Sequence, residues 1–253
     1  MIESNLHYTT KAISDFFANH RIRWADFYES ERRIIAGIQL SPDSSVLDIG
    51  CGCGGLGLAL HDQFGIARYT GVEINAQAAV TGRTMNPKAR IFCGDILELT
   101  QNELLNQQFD VVFSLSCVDW NVRFADMLAV AWQHVRRGGY LISTFRLTTG
   151  SGCNDIARSY QYINFDGRLE GERAPYVVLN AKSLMDVLAA LDPSLIHAYG
   201  YWGAPSGTAV TQYEKLCFSA FAIKKRKFDE AGTLSCRLDL PVEIRNVIGQ
   251  LTR

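Results

Sequence analysis

The sequence predicts a doubly wound α/β fold: a mostly parallel, seven-stranded sheet with helices on both faces, an antiparallel last strand and a helical lead at the N-terminus. Between residues 46 and 146, short apolar runs alternate with helix-patterned stretches, as successive strand-helix-strand units do. The first apolar run, Val46-Leu47-Asp48-Ile49, leads directly into Gly50-Cys51-Gly52-Cys53-Gly54-Gly55, a backbone free to turn sharply from strand into helix. Two further apolar runs, 195–202 and 216–224, flank a turn region built on Gly203, Pro205 and Gly207 and read as an antiparallel pair.

Taken in order, residues 1–40 form the helical lead, with Trp24, Phe27, Tyr28, Ile34, Ile35 and Ile38 recurring at three- and four-residue steps. Pro42 among Ser41, Asp43, Ser44 and Ser45 breaks it. The alternation that follows predicts strands at 46–49, 69–73, 90–93, 109–115 and 139–146, and helices at 55–63, 76–86, 101–107 and 121–135. Residues 147–180 hold five glycines and prolines among several Tyr and Asn without a sustained period, and read as an excursion over the ligand-binding face that covers the substrate. A helix over 183–191 carries Leu184, Val187, Leu188 and Leu191 on one stripe and stops at Asp192-Pro193. The tail, 228–253, follows the complete main domain, 41–227, and places Val242, Ile244, Val247, Ile248 and Leu251 in a short helix beyond Pro241. Packing on its own subunit and packing across a homodimer fit that helix equally well.

Length and charge narrow the function. A chain of 253 residues fits one enlarged α/β domain. A formal net charge of −1 supplies no summed attraction to polyphosphate, so nucleic acid is not the expected partner. The start carries Glu3 and lacks a secretory h-region, no apolar run reaches membrane-spanning length, and the seven scattered cysteines read as reduced buried thiols. The expectation is a cytoplasmic protein without a membrane partner. Cys51 and Cys53 lack a second Cys or His pair at ligand spacing, so no metal is expected.

The chemistry concentrates at the strand ends. Gly50, Gly52 and Gly55 satisfy a dinucleotide spacing, and Glu73 follows about 20 residues later, where a carboxylate takes both ribose hydroxyls. A nicotinamide enzyme has to be weighed, and three features oppose it. Asp48 stands two residues before the first glycine, where a pyrophosphate site avoids carboxylates and a zwitterionic ligand suits better. Asp95, in Cys93-Gly94-Asp95-Ile96, closes the third strand, placed to accept from an adenine amino group between apolar walls from Ile74 and Ile96. None of the ten tyrosines has a lysine four positions later, the proton-transfer pair of short-chain dehydrogenases. Each acid alone would pass for a turn cap or a solvated strand end. At three successive strand ends, they point into one crevice.

With these motifs the chain resembles the class I S-adenosylmethionine-dependent methyltransferases, from Val46 to about Lys224. Asp48 to Gly54 resembles the family's first motif, Glu73 its ribose-binding acid, Gly94-Asp95 its adenine-side acid and Phe109-Asp110-Val111-Val112-Phe113-Ser114 its fourth strand. Arg136-Arg137-Gly138-Gly139-Tyr140-Leu141-Ile142 resembles the entry to its fifth. The resemblance implies a Rossmann-like methyltransferase fold, S-adenosyl-L-methionine as cofactor, and cofactor contacts from Asp48, Gly50, Cys51, Gly52, Gly54, Glu73, Ile74, Asp95, Ile96 and Ser114.

The expected reaction is methyl transfer to a small-molecule acceptor, more readily at oxygen than at nitrogen, because the Asn-Pro-Pro-aromatic signature of amino-group methyltransferases is absent after the fourth strand. Asp119, in Ser116-Cys117-Val118-Asp119-Trp120-Asn121, is the candidate base; its plainer reading is an N-cap for the 121–135 helix. Trp120, Arg146, Tyr160 and Tyr162 are candidate substrate contacts, and Tyr176, Tyr199, Tyr201 and Trp202 can add aromatic walls. RNA or protein methylation, with Lys224-Lys225-Arg226-Lys227 as a phosphate patch, is the alternative, and a binding module without transfer activity is the non-enzyme one.

Overall fold

The computed structural model describes residues 11–99, 104, 106–164 and 166–249. Its strands are β1 (Ser45–Ile49), β2 (Arg68–Glu73), β3 (Arg90–Cys93), β4 (Phe109–Ser114), β5 (Val135–Thr148), β6 (Tyr160–Tyr162), β7 (Arg173–Pro175), β8 (Leu179–Asn180), β9 (Pro193–Gly203), β10 (Ala209–Val210), β11 (Leu216–Lys225) and β12 (Ser235–Asp239). Its helices are α1 (Lys11–Asn19), α2 (Glu29–Ala36), α3 (Gly55–Phe64), α4 (Ala76–Met85), α5 (Phe124–Gln133), α6 (Ala181–Ala189) and α7 (Val242–Ile248).

The main sheet runs β12-β9-β11-β5-β4-β1-β2-β3, with β8 beside the end of β5. Strands β1 to β5 pair in parallel, whereas β11 lies antiparallel between β5 and β9. This is the mostly parallel doubly wound sheet with its antiparallel last strand. Strand β1 is buried along its whole length and has β2 on one side and β4 on the other, so strand order reverses beside it and opens a crevice beyond its carboxyl end.

Alternation sends neighbouring residues to opposite faces. Leu47, Val112, Leu141 and Phe145 meet Leu184 and Leu188 of α6 and Ile244 of α7 in one core, whereas Val46, Val111, Phe113 and Ile142 meet Ile34, Ile35, Ala59 and Leu60 of α2 and α3 in the other.

Several expected elements are corrected. The lead is not one helix: between α1 and α2 the chain turns at Arg21 (φ 59°) and forms a short 3₁₀ turn, Trp24–Asp26, whose Asp26 carboxylate accepts from the Ile22 and Arg23 N–H groups. Tyr28, expected on its apolar face, is 57% exposed. The helix expected over 101–107 falls mainly outside the described residues, although Leu104 and Asn106 lie in turns. The helix expected over 121–135 starts at Phe124 with Arg123 as its cap, so Asp119 is not its N-cap. In the excursion, β6 pairs with β7 and with β10, a small antiparallel sheet whose strands are too short to register as periodic. The tail supplies β12, parallel to β9, besides its helix, and therefore extends the expected seven-stranded arrangement at one edge.

Ile244 and Ile248 are buried against the chain's own core, so the tail packs on its own subunit. Replacing fully buried Ile244 with alanine should cost about 2–5 kcal/mol of unfolding free energy in urea titrations. A cost under about 0.5 kcal/mol, the range of surface substitutions, would mean that the tail merely rests on the domain.

Candidate active site

A cavity of about 1150 Å³ opens at the carboxyl ends of β1, β2, β4 and β5. Gly50, Glu73, Leu115 and Arg146 belong to its floor, and residues from the α1–α2 region, the β6 strand and the turn after β9 complete the lining.

The glycine turn is shaped by close approach. Gly50 has φ +75°, and a Cβ there would stand 2.4 Å from Cys117 Sγ. A Cβ on Gly55, the first residue of α3, would stand 2.4 Å from the Arg21 carbonyl oxygen, where the lead crosses the helix start. The Gly50 and Cys51 N–H groups both donate to Val72 O, at 2.8 and 3.1 Å, which fastens the turn to β2. Phe17 of α1 lies over Gly52, within 3.4 Å of where its Cβ would be.

Glu73 ends β2 and is 6% exposed. Oε2 accepts from Gly52 N–H at 2.7 Å and Oε1 from Asn75 N–H at 2.8 Å. Asn75 in turn caps α4 by accepting from Ala78 N–H. Burial raises the Glu73 carboxyl above the usual range, and those backbone donors act against it. Asp48 accepts from Tyr69 OH at 2.5 Å, and burial pushes its carboxyl up to about 7, against the pull of the Tyr69 hydrogen bond and of Arg21.

The other end of the cavity holds a buried ion pair. Asp119 sits in a 3₁₀ turn, Val118–Trp120, 3.3 Å from Arg146 Nη1, which also donates to the Asp119 carbonyl at 2.7 Å. The Arg146 guanidinium packs against two mutually perpendicular rings, 3.9 Å from the centroid of Tyr176 and 4.3 Å from that of Trp120. Burial raises the Asp119 carboxyl and Arg146 opposes the rise; Asp119 Oδ1 is buried without a hydrogen-bond partner. Cys117, beside them, has its thiol raised far above the usual range by burial, which leaves it a poor nucleophile.

Of the residues expected from the sequence, Asp48, Gly50, Cys51, Gly52, Glu73, Ile74, Asp119, Trp120, Arg146 and Tyr162 line this cavity together. Gly54, Asp95, Ile96, Ser114 and Tyr160 do not. Gly54 sits behind the turn as the cap of α3. Asp95 closes the turn after β3, accepting from Leu97 N–H, and Ile96 packs into the core beside Val72 and Phe92. Ser114 is 2% exposed, and the lining passes to Leu115 and Ser116. The Tyr160 ring packs on Tyr162 and under Arg173. Among the further aromatics, Tyr176 and Tyr201 reach the cavity, whereas Tyr199 and Trp202 bond to Glu29 and Glu243.

Sequence reasoning missed Arg21, Phe17 and Phe218 as lining residues. Phe218 had a signal, since it lies on the antiparallel strand directly opposite Arg146. Arg21 and Phe17 reach the site through the break in the lead, which no periodicity marks.

The residues fit an adenosyl ligand: a glycine turn with no Cβ in the way, an acid at each of two adjacent strand ends and the apolar Ile74 next to the second. The fold is that of the class I S-adenosylmethionine-dependent methyltransferases. Residues 46–139 match the methyltransferase domain family. The chain is 32% identical over 111 residues to trans-aconitate 2-methyltransferase of Deinococcus radiodurans, covering 44% of this chain and 41% of that protein. Over 185 residues it is 25% identical to 24-methylenesterol C-methyltransferase 2 of Oryza sativa subsp. japonica, covering 68% of this chain and 49% of that one. The matches thus span less than half the length of either curated relative. A SAM-dependent methyltransferase structure from Methanosarcina mazei superposes with a TM-score of 0.57 at 16% identity, covering 79% of this chain and 99% of the other, and shares its fold. Among the described residues no helix is long and apolar enough to cross a membrane.

The buried Asp48 gives a pH dependence with a definite sign. Its folded-state value of about 7 lies above the ordinary carboxylate value of about 3.9. The contribution to stability is therefore fully present below about pH 4 and lost as pH rises through about 7. Unfolding free energies measured from pH 4.5 to 7.5 should fall more steeply for the wild type than for Asp48→Asn, by at most about 1.4 kcal/mol per pH unit. Parallel curves would put this carboxylate in a water-like environment.

Proposed function

We propose that this chain transfers the methyl group of S-adenosyl-L-methionine to a small-molecule acceptor, at oxygen in preference to nitrogen. The observation that carries the reading is the continuity of one cavity from the glycine turn to the Asp119–Arg146 pair. At about 1150 Å³ it exceeds the ~300–1,000 Å³ usual for one small ligand, and so has room for cofactor and acceptor side by side.

In this reading Asp48, Gly50, Cys51, Gly52, Glu73 and Ile74 hold the cofactor end. S-adenosyl-L-methionine supplies a methyl group on a sulfonium, open to in-line displacement. The enzyme's task is then to align the acceptor, which by itself is worth several kcal/mol of barrier. Asp119 suits an oxygen acceptor: its Oδ1 is buried and unpartnered, and its raised carboxyl can take the proton that a hydroxyl gives up. Trp120 and Tyr162 form walls around the acceptor. Both relatives described above are named for small molecules, trans-aconitate and 24-methylenesterol.

Macromolecular acceptors receive less support. Lys225 donates to the Trp132 and Val135 carbonyls, Arg226 bonds to Asp192 and the Pro193 carbonyl, and the basic run lies at the end of β11 remote from the cavity.

Calorimetry should detect binding of S-adenosylmethionine and of its demethylated product, and none of NADH; the reverse result overturns the reading. Glu73→Ala should weaken binding of the demethylated product by about 1.5–3 kcal/mol, as expected for hydrogen bonds to a charged group. Incubating the protein with methyl-labelled cofactor and a small-molecule extract should transfer label to a low-mass product. Label appearing only on RNA or protein, and lost when Lys224, Lys225, Arg226 and Lys227 are all changed to Ser, would move the acceptor to the macromolecular class, and no transfer to any acceptor would leave a binding module.

A further inference from the structure

The hydrogen bonds around Arg146 account for only one of its three nitrogens. A guanidinium offers five N–H donors: two on Nη1, two on Nη2 and one on Nε. Nη1 meets the Asp119 carbonyl oxygen and carboxylate. The Tyr176 and Trp120 rings, perpendicular to each other, pack beside the guanidinium with centroids 3.9 and 4.3 Å from its Cζ. Neither Nε nor Nη2 has a hydrogen-bond partner among the described residues, although the side chain is only 6% exposed and lines the cavity. These donors are open to the cavity, so this edge is placed to be met by something that enters it.

We infer that the acceptor carries a carboxylate that docks on the Nε–Nη2 edge of Arg146. This deepens the methyltransferase reading and rests on it. The two N–H groups on that edge are parallel and spaced to match the two oxygens of a carboxylate, and the Nη1 contacts with Asp119 hold the guanidinium in place before the ligand arrives. A phosphate monoester has compatible geometry and the wrong charge: its two negative charges would join that of Asp119 against the single positive charge of Arg146, whereas a carboxylate adds one. Beyond the anchor, Trp120, Tyr162, Tyr201 and Phe218 line the cavity, which suits an apolar, aryl-sized body. The docked carboxylate is a handle and not the methylated atom, because two charge-assisted hydrogen bonds reduce its nucleophilicity. The methyl group goes to another oxygen of the same molecule, and that hydroxyl's proton goes to Asp119.

The test loads the whole protein with the demethylated cofactor and measures binding of benzoate and cinnamate, of benzamide and cinnamamide, and of phenyl phosphate. The carboxylates should bind at least tenfold more tightly than the matched amides and more tightly than the phosphate. Arg146→Lys keeps the charge without the parallel donors and should lose about tenfold for carboxylates; Arg146→Met should abolish the preference. Binding of the demethylated cofactor to each variant reports whether it has folded, and the wild-type comparison stands without any variant. Equal affinity for carboxylates and amides, tighter binding of phenyl phosphate, or no carboxylate binding to the cofactor-loaded protein overturns the inference. A protein that fails to bind the demethylated cofactor sinks the methyltransferase reading instead, and the carboxylate-to-amide comparison on it still decides the role of Arg146.

Discussion

One carboxylate holds the ligand end of the sheet in shape. Glu73 accepts from Gly52 of the turn after β1 and from Asn75 at the start of α4, and so spans two loops that would otherwise share only the sheet beneath them. Because Asn75 caps α4, the orientation of that helix is tied to the same acid. Helix α1 packs on α4, where Ser14 hydrogen-bonds to Thr81, and its Phe17 covers Gly52, so the roof takes its position from the floor. A buried carboxylate without such donors would shed its charge; with them it fixes the two loops in one arrangement.

The buried acids in and beside the cavity follow a common rule: each is desolvated and each has a fixed partner. Glu31, fully buried, pairs with Arg21 at 2.9 Å and accepts from Tyr28 N–H, which fixes the bend in the lead. Asp48 has a tyrosine hydroxyl, and Asp119 has Arg146. The side chains that face the ligand therefore have little freedom to lose on binding, and in a site of low dielectric each fixed dipole acts strongly.

The sheet was legible in the sequence because its strands are continuous apolar runs, as a doubly covered parallel sheet requires, and because only glycines can occupy turns as tight as the one beside Cys117. Asp48 and Glu73 were legible from their places at strand ends. Asp95 occupied an equivalent place, yet it lies outside the cavity lining and its Oδ1 accepts from its own loop, a choice made over two residues that spacing does not reveal. The break at Arg21 was invisible because the residues around it keep a helical pattern while one backbone angle departs from it. Strand β12 was hidden by its position at the sheet edge, where exposed and half-buried residues alternate and the apolar signal is weak.

The order of the strands also has a consequence for synthesis. Strands β1 to β5 find their parallel neighbours among themselves, so that half of the sheet can close once residue 148 has left the ribosome. Strand β9 cannot follow directly, because both of its neighbours, β11 and β12, come later in the chain. Until β11 arrives, the nascent protein presents the free edge of β5, a strand buried almost throughout in the finished fold. An open apolar edge invites pairing with another chain. The interval between synthesis of residue 148 and of β11 is thus the one in which this edge stands unpaired.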